Sequence, residues 1–139
     1  MASFGTKSTA ALKGVHPDLV RVLIEAIKDT PIDFSINEGV RSLATQQRYY
    51  ASGRAKKGPI ITNADGVKNK SNHQVKSDGY GWAVDLYPFV NGEVKFNDEQ
   101  DLKTIADHIK ATGARLGIQV IWGGDWHSII DKPHFELKK

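Results

Sequence analysis

The chain has 139 residues, enough for one domain that buries about two thirds of the surface its unfolded form exposes. It has no cysteine, which excludes disulfide scaffolds, thiol nucleophiles and Cys-built metal clusters, so any metal must be held by His, Asp and Glu. Nineteen basic against 16 acidic residues leave a net charge of +3, a tilt toward anionic polymers without the dense basic stripe of a nucleic-acid binder, and no nucleic-acid partner is expected.

The first residues, "MASFGTKSTAALKG", lack a basic end followed by an apolar stretch, and nowhere do about 20 apolar residues run together. A protein made soluble in the cytoplasm, without a signal peptide, is expected. In "HPDLVRVLIEAIKD" the spacing places Leu19, Val20, Leu23, Ile24 and Ile27 on one helical face, with Pro17 in the first turn. "PIDFSIN" alternates Ile32, Phe34 and Ile36 against Asp33, Ser35 and Asn37, the period of a strand buried on one side. Ser42 can cap a second helix that Gly53 stops.

From Arg54 to Asn72 the composition reads as a long surface loop. "WAVDLYPFVNGEVKF" predicts a hairpin turning at Asn91-Gly92. Asn97 with Gln100 resembles a capping box, opening a helix whose Leu102, Ile105, Ala106 and Ile109 face inward and which ends by Gly113. A strand in "GIQVIW", a glycine turn "GGDW" and a final strand "PHFEL" follow. The order predicts one α+β domain over residues 1–139: a small, mainly antiparallel sheet with packed helices.

Alternation in the hairpin strand puts Trp82, Val84 and Leu86 on one face and Ala83, Asp85 and Tyr87 on the other. A covered, unpaired carboxylate costs several kcal/mol, which a metal or other cation offsets. His73 precedes this strand, and alternation in "PHFEL" places His134 beside Glu136 and opposite Phe135 and Leu137. Two His and one Asp with an open fourth position fit catalytic zinc on the sheet face. Asp131, three residues before His134, is the candidate proton acceptor, and Arg41 the candidate donor to a developing oxyanion. The bland alternatives stand beside this: a loop His is ordinarily solvated, a strand Asp is often paired with Lys or Arg, and D-x-x-H is common by chance.

The ordered set resembles one family. "SNHQVKSDGYGWAVDL" resembles the SxHxxGxAxD signature of the zinc peptidases that cut bacterial peptidoglycan stem peptides, a family of D-alanyl-D-alanine carboxypeptidases and L-alanyl-D-glutamate endopeptidases. "WGGDWHSIIDKPHFEL", "GVHPDL" and "EGVRSLATQQ" resemble segments of its phage endolysin branch. The resemblance implies a compact α+β domain, Zn2+ held by His73, Asp85 and His134, Asp131 as catalytic acid/base, Arg41 as the group polarising the scissile carbonyl, and Ser71 and Gln46 lining the site. It implies hydrolysis of the L-alanyl-D-glutamate bond of peptidoglycan and lysis of the host wall. The enzyme is then a monomer that waits in the host cytoplasm until a membrane-permeabilising, holin-type protein gives it access. One departure is the spacing: the family motif puts seven positions from His to Asp, whereas Asp85 follows His73 by twelve. The added residues either bulge outward or remodel the cleft rim.

Three rival readings are a D,D-carboxypeptidase or dipeptidase, a non-catalytic zinc-containing binding module of the same fold, and a basic nucleic-acid-binding domain. Among the remaining residues, His127 is a solvent-facing loop residue or a rival ligand, His16 belongs to a helix start and His108 to the exposed side of the third helix. Trp122 and Trp126 are core or cleft wall, and Glu136 either orients a ligand or forms a salt bridge on the sheet edge. Asp65, Asp78, Asp98, Glu99 and Asp101 lack the spacing of a calcium loop.

Overall fold

Pro17 opens a helix whose first free N–H groups need an acceptor, and His16 Nδ1 supplies one by accepting from Asp18 N at 3.0 Å. A computed structural model of the chain describes residues 4–52, 54, 64, 66–67, 71–96, 98–126 and 130–138. In chain order the elements are α1 (Thr6–Ala11), α2 (Pro17–Lys28), β1 (Phe34–Glu38), α3 (Leu43–Ala51), β2 (Ala83–Val90), β3 (Glu93–Val94), α4 (Glu99–Leu116), β4 (Val120–Trp122), a 3-10 turn (Gly123–Asp125) and β5 (His134–Leu137). The strands pair antiparallel in the order β1-β2-β5-β4, with β3 folded back on β2. The α+β expectation is met.

One face of this sheet carries Phe34, Ile36, Val84, Leu86, Val120, Trp122, Phe135 and Leu137, all buried in one core with α2 and α4. Burying a side chain of this kind is worth about 1.5–3 kcal/mol. That face anchors the sheet, and strand alternation then turns Asp85, His134 and Glu136 to the other side.

Several boundaries differ from the sequence reading. The buried stripe of α2 is Leu19, Val22, Leu23, Ala26 and Ile27, while Ile24 is exposed and Val20 only partly covered, because the sheet and α4 meet the helix about one residue round from the expected face. The short helix α1 was not expected; its Ser8 Oγ accepts from Ile36 N at 3.0 Å, so tertiary docking on β1 makes it. α4 is capped by Asp98, whose side chain accepts from Asp101 N, and runs past Gly113 to a left-handed Gly117. Gly113 suits that helix because a Cβ there would lie 2.5 Å from Ile118 O. Asn97 and Gly53, expected as cap and stop, lie outside the described residues, as does most of the 54–72 loop. Two points of its described part are tied to the body of the fold, since Gln46 Nε2 donates to Ala64 O and Gln74 Nε2 to Gly66 O, while Val67 is exposed. The hairpin turn is as expected, with both Asn91 and Gly92 at positive φ.

Candidate metal centre

Asp85 and His134 are cross-strand partners on β2 and β5, the two central strands. His73 reaches them from the segment before β2, fixed by backbone bonds from Arg41 N to His73 O (2.8 Å) and from Trp82 N to Asn72 O (2.7 Å). His73 Nε2 and His134 Nδ1 are 3.0 Å apart, and Asp85 Oδ1 lies 3.2 Å from the first and 3.5 Å from the second. Tetrahedral zinc with bonds near 2.0–2.2 Å would set its ligand atoms about 3.3 Å apart.

The other ring nitrogens are occupied. His73 Nδ1 donates to Gly39 O at 2.9 Å, and His134 Nε2 donates to Glu136 Oε1 at 2.7 Å. These bonds select the tautomers in which His73 Nε2 and, once His134 has given up its second proton, His134 Nδ1 present electron pairs toward Asp85. Asp85 Oδ1 is buried and accepts no hydrogen bond of acceptable geometry among the described residues. An acceptor-only oxygen so placed, beside two free imidazole pairs, fits a cation. The residues therefore fit the group that the sequence expects, and the three could hold a metal ion.

The charges follow from burial and neighbours. Burial pushes the Asp85 carboxyl up, but His134 and His73 more than offset it and hold the group well below the usual carboxylate range. Burial lowers His134, yet Asp85 and Glu136 carry it up to about 9. Burial also opposes ionisation of Glu136, but bonds from His134 and from Asn72 Nδ2 (2.7 Å) keep its pKa low. Asp131 Oδ2 stands 3.9 Å from His134 Nδ1, with its side chain 37% exposed. Burial and then the Asp85 charge raise the Asp131 pKa against the pull of His134, His73 and Arg41.

Arg41 stands on the β1 side of Asp85. Its Nη2 is 3.5 Å from Asp85 Oδ2, its Nε donates to Glu38 Oε1 at 2.8 Å, and its Nη1 donates to Gln46 Oε1 at 2.8 Å and Ser71 Oγ at 3.5 Å. The structure thus brings Arg41, Gln46, Ser71, His73, Asp85, Asp131 and His134 together. A family described as phage L-alanyl-D-glutamate peptidase matches residues 1–138.

The chain belongs to the phage L-alanyl-D-glutamate peptidase family.

As a member of that family it is a peptidase, as its sequence predicts. It is 31% identical over 137 residues to the L-alanyl-D-glutamate peptidase of Escherichia phage T5, covering 98% of this chain and 89% of that protein. It is also 31% identical to the peptidoglycan L-alanyl-D-glutamate endopeptidase CwlK of Bacillus subtilis strain 168, over 88% of this chain and 73% of the relative. Among solved structures, the Serratia marcescens L-Ala D-Glu endopeptidase ChiX superposes with a TM-score of 0.78 at 32% identity, covering 98% of this chain and 90% of ChiX. The D,D-dipeptidase VanXYg, at 19% identity and a TM-score of 0.56 over 88% of this chain and 50% of its own, shares the fold.

The twelve-residue spacing from His73 to Asp85 resolves as an outward bulge. Residues 75–80 close on themselves through Lys76 N to Tyr80 O and Gly79 N to Lys76 O, both 2.9 Å, and the chain returns to Asn72 at Trp82. Glu136 orients a ring rather than a salt bridge at an edge, since β5 lies inside the sheet. His108 is also turned inward: its Nε2 donates to Ala26 O at 2.9 Å and lies 3.1 Å from Asp29. His16 caps α2 as expected, Trp122 is core, and the Trp126 ring lies 4.9 Å from that of His134. His127 and Asp65 lie outside the described residues. Sequence reasoning missed Glu38, Tyr49 and Asn72. A carboxylate three residues before Arg41 was a usable signal for Glu38; no comparable signal marked the other two.

Proposed function

We propose that this protein hydrolyses the L-alanyl-D-glutamate amide of peptidoglycan stem peptides, with Zn2+ held by His73 Nε2, His134 Nδ1 and Asp85. As a member of the phage L-alanyl-D-glutamate peptidase family it is a peptidoglycan endopeptidase. The observation that carries the metal assignment is the pair of imidazoles with their outer nitrogens committed and their free pairs converging on an unbonded buried carboxylate oxygen. When bound, zinc supplies a Lewis acid and lowers the pKa of water toward 7.

The chain's own residues do the rest. Asp131, close to His134 and partly open to solvent, takes a proton from the attacking water and passes it to the leaving amine. Burial and the Asp85 charge raise its pKa, which makes it a better proton acceptor than an ordinary exposed carboxylate. Arg41 presents a fixed cation beside Asp85, where it offsets the negative charge of the tetrahedral oxyanion. Gln46 and Ser71 hold Arg41 in place, and Ser71 Oγ also accepts from His73 N at 3.2 Å.

In this reading residues 1–139 act as one catalytic domain and as a monomer. The enzyme stays in the host cytoplasm until lysis, when a holin-type protein opens its way to the wall. Among the described residues no helix is long and apolar enough to cross a membrane.

The test is mass spectrometry of purified Gram-negative muropeptides incubated with zinc-loaded protein. A fragment with a new D-glutamate amino terminus is expected. Loss of a single D-alanine would replace this reading with a carboxypeptidase, and unchanged muropeptides would contradict hydrolysis of this wall type.

A further inference from the structure

β1 does not reach the site as a regular strand. Ile36 opposes Leu86, but the next pair is Glu38 with Asp85, so Asn37 is an extra residue in a bulge. Regular alternation would have sent Glu38 to the core face with Phe34 and Ile36; the bulge re-aims it to the side of the sheet that carries Asp85. Two carboxylates then face each other across one ladder, and the guanidinium of Arg41 lies against both.

The bonds to that guanidinium are unequal. Nε and Nη2 both donate to Glu38 Oε1, whereas the nearest Asp85 oxygen is 3.5 Å from Nη2. Glu38 is itself held: Tyr49 Oη donates to its Oε2 at 3.2 Å, and the Tyr49 ring lies 4.6 Å from the guanidinium carbon. The Arg41 side chain is only 9% exposed, so water screens it little and the choice between two anions decides where its charge rests.

We infer that Glu38 is a positioning residue that draws the Arg41 guanidinium away from Asp85 and so keeps the Asp85 carboxylate open to a divalent cation. The inference rests on the zinc reading of His73, Asp85 and His134. A guanidinium closed onto Asp85 competes with the metal for the same negative charge. Without an anion at position 38, Asp85 is the carboxylate next in reach of Arg41, and the metal has to displace it.

The experiment measures Zn2+ affinity of the metal-free full chain by competition with a chromophoric chelator, in the wild type, Glu38→Gln, Arg41→Met and the double variant. Glu38→Gln is expected to weaken binding by about tenfold or more. In the Arg41→Met background the same change is expected to matter by no more than about twofold. Equal weakening in both backgrounds, or none in either, overturns the inference, since a merely structural Glu38 has no reason to depend on Arg41. If Glu38→Gln does not fold, Tyr49→Phe gives the same comparison with a smaller change, because it removes only the hydroxyl on Glu38 Oε2. A wild type that takes up no Zn2+ defeats the metal reading itself and is distinguishable from failure at Glu38.

Discussion

His73 Nε2 and His134 Nδ1 stand 3.0 Å apart on rings whose outer nitrogens are both already donating. Two neutral rings held this way would aim electron pair at electron pair, so a positive group must lie between them. In the metal-free protein that group is a proton, kept on His134 up to about pH 9 by Asp85 and Glu136 although burial works against it.

Metal binding must therefore displace that proton. Zn2+ affinity is expected to rise by about tenfold per pH unit through mildly acidic solution up to neutrality. Calorimetry in buffers of different ionisation enthalpy should show one proton released per metal at about pH 6, below the range in which a metal-bound water would add its own proton; release of none would contradict the assignment of His134 as a ligand.

The same proton governs the metal-free form. A group whose pKa is higher folded than unfolded contributes fully below the unfolded value and loses that contribution as pH rises through the folded one. For His134 the window runs from the ordinary 6.5 to about 9. Asp85 works in the opposite sense: with its folded pKa depressed, its contribution is present above the ordinary 3.8 and is lost as pH falls below it. The melting temperature of chelator-treated protein should peak in mildly acidic solution and fall on both sides. A value still climbing from neutrality to pH 9 would count against this electrostatic account.

Asp131→Asn keeps the shape of the side chain and removes its basicity. The variant should fold, bind Zn2+ and lose about 10²–10⁴-fold in kcat. Metal content and kcat measured on the same preparation check this, and retained activity would remove Asp131 from its role.

The chain carrying Asp131 packs directly on Gly123, whose carbonyl accepts from Asp131 N at 3.1 Å. A Cβ at this position would lie 2.2 Å from Asp131 O and 3.1 Å from the His134 Cβ. Gly123→Ala should cost about 1–3 kcal/mol of stability. Because it shifts both Asp131 and His134, activity should fall by about 10²-fold even where the protein remains folded. Thermal melts and kcat at a temperature well below melting separate the two effects.

The sequence makes the core strands and helices legible because burial on one side imposes a period, and Phe34, Ile36, Val84, Leu86, Leu102 and Ile105 obey it. The same alternation places Asp85 and His134 on the opposite face. What it cannot show is anything made by docking or by a break in the period. α1 exists through its contact with β1, Glu38 turns toward the site only because of an unpaired Asn37, and His108 is drawn inward by a carbonyl of α2. The inner position of β5 likewise follows from strand order, which no local pattern encodes.

The Asp85–His134 rung joins two strands far apart in the chain, and His73 adds a third segment to the same point. A metal there is a clasp across the middle of the fold, the service that a cystine performs in many small proteins. This chain has no cysteine. Its clasp would hold equally in reducing and oxidising surroundings, and would open to a chelator rather than to a thiol.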